Sequence, residues 1–375
     1  MSDRVVLRAD RVLTPDGLVT PGWVAVDGSR VVGVGEGEPA TPSRDLGAVT
    51  LAPGFVDLHG HGGNGASYGD GAEAARQALV AHRRHGTTST VASLATAPLD
   101  VLAAQVEALA PLVEEDELVG VHLEGPWLSG ARCGAHDPAL LRDPAPAEVA
   151  RLLDVAPGAV VMATLAVERT GGLAAVEQLA AAGVVPALGH SDATYAQAQA
   201  AVDAGVRVAT HLFNAERALH HREPGPVAAL LDREEVTVEL IADGVHLHPA
   251  VFRLAAEQAR GRFALVTDSM AAAGLGDGDY DFGTRRVEVR DGAVRLAGRD
   301  VLAGSVLTLD AAVRHAVQVA GVELVDALRA VTRTPADVLG RHDLGRLEPG
   351  ALADLVVLDQ ALEVRAVMRR GCWLD

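Results

Sequence analysis

The sequence predicts an α/β fold: a (β/α)8 TIM-type barrel with a small β-sandwich domain built from both chain termini. Three observations predict it. Between residues 52 and 346, apolar runs alternate with alanine-rich helical stretches. Both ends of the chain carry short valine-rich segments broken by Gly and Asp turn signals. Nearly every apolar run in the middle ends in His, Asp or Glu, and in a barrel the chemistry sits at the C-terminal ends of the strands.

Taken in order, VVLRADRVLT and GWVAVDGSRVVGVG open the chain as short strands, and GRLEPGALADLVVLD (345–359) and EVRAVMRRGCWL close it with the same texture. Residues 1–51 and 347–375 are therefore assigned to one small β domain; two unrelated edge hairpins are the competing arrangement. Barrel strands are expected at 54–62, 88–94, 118–126, 159–166, 184–191, 206–215, 236–246 and 263–269, with helices such as AEAARQALVAHRRHG and GLAAVEQLAAAG between them. Eight strands within 52–346 suit a barrel, which takes about 250 residues. An open doubly wound sheet is the alternative.

Composition narrows the function. With 375 residues and 49% hydrophobic content the chain can bury a large core, and 22% charged residues argue against disorder. No run approaches the roughly 18–20 apolar residues of a membrane helix, and MSDRVVLRAD lacks an apolar signal core. A cytoplasmic protein with no membrane partner is expected. Cys133 and Cys372 are too few for a disulfide framework and fit a reducing compartment. The net charge of −18 argues against nucleic acid, but not against a small phosphorylated substrate, which needs only a local Arg or His cluster. All 32 basic residues are arginine, which excludes Schiff-base and P-loop chemistry.

The strand ends carry His59 and His61, His122 and Glu124, His190 and Ser191, His211 and Asn214, Asp243 and His246, and Asp268. One histidine after an apolar run is more often a structural residue. Six strands ending this way point to a convergent site. Imidazole and carboxylate suit zinc and similar divalent ions, and such an ion lowers the pKa of bound water to about 7. A neighbouring carboxylate then has to accept the water proton and pass it to the leaving nitrogen; Asp268, ending the last strand, is placed for that.

At these residues the sequence resembles the amidohydrolase superfamily and, within it, the N-acetylglucosamine-6-phosphate deacetylases. The resemblance spans the chain through APGFVDLHGHGG (52–63), HLEGPW (122–127), GAHDP (134–138), GHSDA (189–193), THLFNA (210–215), REPG (222–225), ADGVH (242–246), TDSMAAAG (267–274) and LAGS (302–305). It implies Glu124, His190 and His211 as metal ligands, Asp268 as acid/base, and His246 as the group polarising the acetyl carbonyl. It assigns the sugar-phosphate site to Ala135, His136, Asn214, Ala215, Arg222, Asp243, Gly244, Leu302, Ala303 and Gly304, with backbone N–H groups of Asn214 and Ala215 and the Arg222 fork offered to phosphate. The implied reaction is deacetylation of N-acetyl-D-glucosamine 6-phosphate by metal-bound hydroxide, in a homodimer. The cofactor is one or two divalent ions per subunit, zinc first, with iron, cobalt or manganese as alternatives. Because lysine is absent, the carboxylated-lysine bridge of many two-metal amidohydrolases is not available. A second ion at His59 and His61 has to be bridged by a carboxylate, Glu124 first; the alternative is that both histidines hydrogen-bond locally around a single ion.

The remaining residues receive plainer readings. His122 is expected to support Glu124, Asp57 to orient His59, and His82 and His85 to lie on the surface. His220 and His221 either help hold phosphate or sit in a solvated loop. Cys133 and Arg132 belong to a Gly-rich loop able to close over substrate. Glu216 and Ser269 depart from the family pattern beside the substrate. A related amidohydrolase acting on N-acetylgalactosamine 6-phosphate, a cyclic imide or an N-acyl amino acid is the second reading, and a non-catalytic barrel the third.

Overall fold

The computed structural model describes residues 4–282 and 285–374. Eight parallel strands pair in sequence order: β1 (Phe55–Gly60), β2 (Thr87–Ala95), β3 (Gly120–Glu124), β4 (Val160–Leu165), β5 (Val185–Leu188), β6 (Val208–Ala209), β7 (Thr237–Leu240) and β8 (Phe263–Leu265). Each overlaps an expected run. The ring is drawn together just past β8, where Asp268 N–H donates to His59 O at 2.8 Å and His61 N–H to Ser269 O at 2.7 Å.

Parallel neighbours need crossover connections, and helices such as Ala72–Arg84, Leu99–Glu114, Gly172–Ala181 and Tyr195–Ala204 supply them. Their start signals are local. Thr194 and Gln197 form a reciprocal capping box that satisfies two otherwise orphan N–H groups. Their apolar stripes bury against the barrel: Leu102, Val106 and Leu109 share one core with Val121 and Leu123 of β3. No helix among the described residues is long and apolar enough to cross a membrane.

The chain ends build two further sheets. One has four strands, in the order Arg30–Glu36, Gly22–Asp27, Val5–Ala9, Arg44–Asp45; the other has six, running Cys372–Trp373, Val364–Arg369, Leu355–Leu358, Thr50–Pro53, Arg11–Thr14, Gly17–Val19. Leu355–Leu358 pairs antiparallel with Thr50–Pro53, joining the two termini. Leu7, Val24 and Val31 of the first sheet and Val12, Leu51, Leu355 and Met368 of the second share one apolar core. The strand texture at 345–359 narrows to Leu355–Leu358, the preceding Gly345 to Gly350 forming turns.

An additional antiparallel sheet follows β8: Gly278–Phe282, Arg285–Arg290 and Ala293–Leu296. Its apolar face (Val287, Val289, Val294, Leu296) packs on Ala135, Met270 and Ala303, three residues of the loops around the barrel mouth. The signal was present in the sequence. RRVEVR alternates with period two, and Asp291-Gly292 supplies two consecutive positive φ values, 51° and 73°, as a two-residue hairpin requires.

One buried ion-pair group ties the helical layer together. Asp310 accepts from Arg314 at 2.8 Å and Thr308 at 2.5 Å and faces His85 Nδ1 at 3.2 Å. Burial works to raise its pKa, but His85, Thr308 and Arg314 outweigh this and hold it well below the ordinary carboxylate range. A depressed folded-state pKa contributes stability that is complete above the unfolded value near 4 and is lost as pH falls through the folded value. Asp310→Asn is expected to lower stability by about 2 kcal/mol at pH 7, with a smaller difference from wild type below pH 4. Denaturant titrations at the two pH values check this; equal destabilisation at both contradicts it.

Candidate metal centre and active site

Three of the residues at the barrel mouth occupy a conformation that non-glycine residues rarely adopt. His190, His211 and Asp268 have φ values of 47°, 28° and 45°, each within three residues of the end of its strand. Left-handed backbone at such residues costs on the order of 1–3 kcal/mol and clusters at functional sites. Here it breaks the strand direction where the side chains turn inward. His59 lies within β1, His61 follows it directly, and Glu124 is the last residue of β3.

The side chains converge on Glu124. Its Oε1 lies 3.1 Å from His190 Nε2, 3.2 Å from His211 Nε2 and 3.4 Å from His59 Nε2. Its Oε2 lies 3.1 Å from His61 Nε2 and 3.2 Å from His136 Nε2. Asp268 Oδ1 is 3.4 Å from His61 Nε2 and 3.6 Å from His59 Nε2. Among the described residues, two groups have ligand atoms close enough to hold an ion each: Glu124, His190 and His211, and His59, His61 and Asp268. All six are buried.

The tautomers fit a cation. His190 Nδ1 faces Arg132 O at 3.0 Å and His59 Nδ1 faces Glu239 Oε2 at 3.1 Å. Each Nδ1 must donate, which leaves the Nε2 lone pairs pointing at Glu124 and one another. Acceptors converging on acceptors call for positive charge. Burial disfavours charge on His61, yet Asp268 and Glu124 raise its pKa to about 9. The same opposition of burial by Glu124 and Glu239 raises His59.

Around this centre the expectations fare unevenly. His122 is tied at both nitrogens, Nδ1 to Ser93 Oγ at 2.9 Å and Nε2 to Thr164 Oγ1 at 2.8 Å, so it has no free nitrogen for an ion. Burial and the nearby His59 keep it neutral. His246 gives Nδ1 to Asp243 Oδ2 at 2.7 Å, and Asp243 Oδ1 also takes the N–H groups of Val245 and His246. That leaves His246 Nε2 for the cavity. Asp243 acts through His246, and Gly244 packs on His315, so neither lines the cavity.

The cavity at the barrel mouth holds about 390 Å³. Ala135, His136, Asn214, Ala215, Leu302 and Gly304 line it beside the cluster, while Ala303 is buried in the core of the inserted sheet. The expectation for the Asn214 N–H needs correction: it donates to His211 O at 3.0 Å, and the Asn214 side-chain amide also bonds within the loop. Arg222 lies outside the cavity wall, on an exposed loop where its guanidinium meets His221 at 2.7 Å. His82, expected at the surface, is buried, with Nε2 2.9 Å from Gly62 O. Asp57 supports β1 and β8 together, taking the His59 N–H at 3.3 Å and the Thr267 hydroxyl at 2.7 Å.

Two acids were missed. Glu239, in β7, holds His59 Nδ1 and also takes the His211 N–H at 3.2 Å. A lone acid inside the apolar run VTVELIA was the available signal. Glu216, noted only as a departure, is buried with its Oε1 accepting the Phe213 N–H, and burial pushes it up to about 8.

A parallel barrel whose strand ends bring two acceptor triads around one carboxylate has the architecture of a metal-dependent hydrolase. The chain belongs to the amidohydrolase family, whose model matches residues 50–374, and within it to the N-acetylglucosamine-6-phosphate deacetylases. It is 48% identical to the N-acetyl-D-glucosamine-6-phosphate deacetylase of Mycobacterium smegmatis, with a TM-score of 0.96 over 99% of this chain and 100% of that one. An aspartate-to-alanine variant of that protein has been solved in complex with N-acetyl-D-glucosamine-6-phosphate. Among sequence relatives, the chain is 37% identical to N-acetylgalactosamine-6-phosphate deacetylase of Escherichia coli O157:H7, over 98% of each chain. It is 38% identical to the human N-acetylglucosamine-6-phosphate deacetylase, over 88% of this chain and 85% of that one.

Proposed function

We propose that this chain hydrolyses the amide of N-acetyl-D-glucosamine 6-phosphate, giving D-glucosamine 6-phosphate and acetate in amino-sugar catabolism. The observation that carries this reading is the division of Glu124 between two ligand triads at the inner end of a cavity with room for a sugar phosphate. Glu124, His190 and His211 would hold one divalent ion and His59, His61 and Asp268 a second, with Glu124 facing both in the absence of any lysine. Zinc is the first candidate. Such ions, when bound, supply Lewis acidity and lower the pKa of water.

The chain's own groups do the rest. His246, whose pKa Asp243 raises against the effect of burial, acts with a proton on both nitrogens: Nδ1–H donates to Asp243 and Nε2–H to the acetyl carbonyl oxygen as charge develops there. Asp268 takes a proton from the attacking water and returns it to the nitrogen as the C–N bond breaks. Ala215, Leu302 and Gly304, which line the cavity, are assigned to its sugar-phosphate end. A homodimer is proposed, because Arg222 stands on an exposed loop outside its own cavity and needs a neighbouring subunit to meet phosphate. The compartment proposed is the cytoplasm.

The test compares acetate release from the two epimeric 6-phosphates. The gluco epimer is expected to show kcat/KM at least about tenfold above the galacto epimer. The reverse order would move the assignment to N-acetylgalactosamine 6-phosphate, and no acetate from either would remove it.

A further inference from the structure

Glu216 is a buried acid that the reaction above does not use. It ends the segment 211–216, which follows β6 and places Phe213, Asn214 and Ala215 on the wall of the substrate cavity. Glu216 itself is not part of that wall.

The backbone of this segment is unusual. Every second residue is left-handed, with φ of 28° at His211, 76° at Phe213 and 48° at Ala215. Such conformations cost free energy in residues with a side chain and persist where the surroundings hold them. Hydrogen bonds supply that hold. Leu212 N–H donates to Glu239 O and Asn214 N–H to His211 O, both at 3.0 Å. The Asn214 side-chain amide donates to His211 O and Leu212 O, and Arg217 N–H donates to Ser191 O. The Phe213 N–H, at the largest φ of the three, is accepted by Glu216 Oε1. That bond joins residues three apart. It therefore fixes how Asn214 and Ala215, which lie between them, meet the cavity.

The Glu216 carboxyl has little else. Its Oε2 is buried without a protein partner. Arg132, from the loop after β3, is the cation whose field reaches it. The Arg132 guanidinium is already held by Asp192 Oδ1 at 2.8 Å, and Asp192 Oδ2 is held by Arg217 at 2.8 Å. Glu168 accepts the Asp192 N–H at 2.6 Å. A carboxylate in this setting would be a buried charge without an ion-pair partner, far costlier than a neutral acid with one hydrogen bond. Burial accordingly pushes Glu216 up to about 8, against the opposing effects of the Phe213 N–H and Arg132.

We propose that Glu216 is a positioning residue for the sugar phosphate: as a neutral acid its carboxyl closes the turn that presents Asn214 and Ala215 to the cavity, and its ionisation weakens substrate binding. This rests on the functional reading above, which assigns Ala215 to the sugar-phosphate end. Two effects act in the same direction. A buried negative charge beside the cavity repels the phosphate dianion, and a carboxylate requires solvation that the closed turn denies it. The acid is neutral below its raised pKa and charged above it, so binding is lost as pH rises.

The test is the pH dependence of binding to the metal-loaded enzyme, read with D-glucose 6-phosphate as a competitive inhibitor of deacetylation. This probe has no amine, and its phosphate is a dianion from pH 7 to 9. In the wild type its inhibition constant is expected to rise about tenfold from pH 7 to pH 9, as the neutral form of a group titrating near 8 is depleted. Glu216→Gln keeps an oxygen for the Phe213 N–H but cannot ionise, and its inhibition constant is expected to change by less than about twofold. Glu216→Leu removes that oxygen. It is expected to raise KM and the inhibition constant about tenfold at pH 7, with kcat within about threefold of wild type. A flat profile in the wild type, or the same rise with pH in Glu216→Gln, overturns the proposal and leaves the deacetylase reading intact. So does a Glu216→Leu enzyme that loses kcat with KM unchanged. Should that variant fail to fold, the glutamine comparison decides alone. Absence of acetate from both 6-phosphates removes the proposal and the reading together.

Discussion

Glu124→Gln is expected to release both ions and to lower kcat/KM by at least about 10³-fold. Glu124 faces both triads, Oε1 toward His190, His211 and His59 and Oε2 toward His61. Glutamine keeps the shape but removes the negative charge, and its NH2 group would aim donors at the place where a cation belongs. Losing the several kcal/mol that a bound ion gives to the transition state corresponds to a factor of about 10³ or more. Metal content after dialysis and turnover at saturating substrate are the two readings. A variant that retains two ions per chain would show that Glu124 is not shared between the triads.

Asp268→Asn is expected to separate metal from chemistry. Asp268 sits beside His61 and His59, where burial opposes its charge but the His61 hydrogen bond and both imidazoles hold its pKa well below the ordinary range. Asparagine cannot accept the water proton, so kcat is expected to fall by about 10³–10⁴-fold, at the upper end of what a positioned acid/base contributes. The Glu124–His190–His211 site does not include Asp268 and is expected to keep its ion. The pair of variants is therefore diagnostic: one loses metal and turnover together, the other turnover with at least one ion in place. Near-normal turnover in Asp268→Asn would remove its role as acid/base.

Much of this was legible in the sequence because the barrel imposes a simple rule. A strand buried on both faces must be an apolar run, and the first polar residues after it fall at the mouth. His61, His190, His211 and Asp268 follow that rule, and Glu124 ends its strand. The rule fails where the partner decides the role. His122 and His59 both lie in apolar runs, yet His122 is closed off by two hydroxyls and His59 keeps a lone pair for the centre. His82 looked like a helix-terminal surface residue because the buried carbonyl of Gly62, twenty residues away, cannot be read locally. The family resemblance offered the Asn214 N–H to phosphate, and no local pattern in THLFNA shows where that N–H goes. The chain turns, with φ of 28° at His211 and 76° at Phe213, and the N–H closes on His211. The inserted sheet lacked only a reason to look for strands after the eighth. Its alternation and Asp-Gly turn were in plain view.

The most direct test of the account is a metal titration read out as chemistry. Protein stripped with a chelator is given back divalent metal in known equivalents, and acetate release from N-acetyl-D-glucosamine 6-phosphate is followed at each step, for wild type and for the His59→Ala/His61→Ala variant. The account predicts no turnover in the stripped protein, full activity by two equivalents in wild type, and binding that saturates at one equivalent in the variant. Turnover that survives chelation, or a variant that still binds two ions, would contradict it.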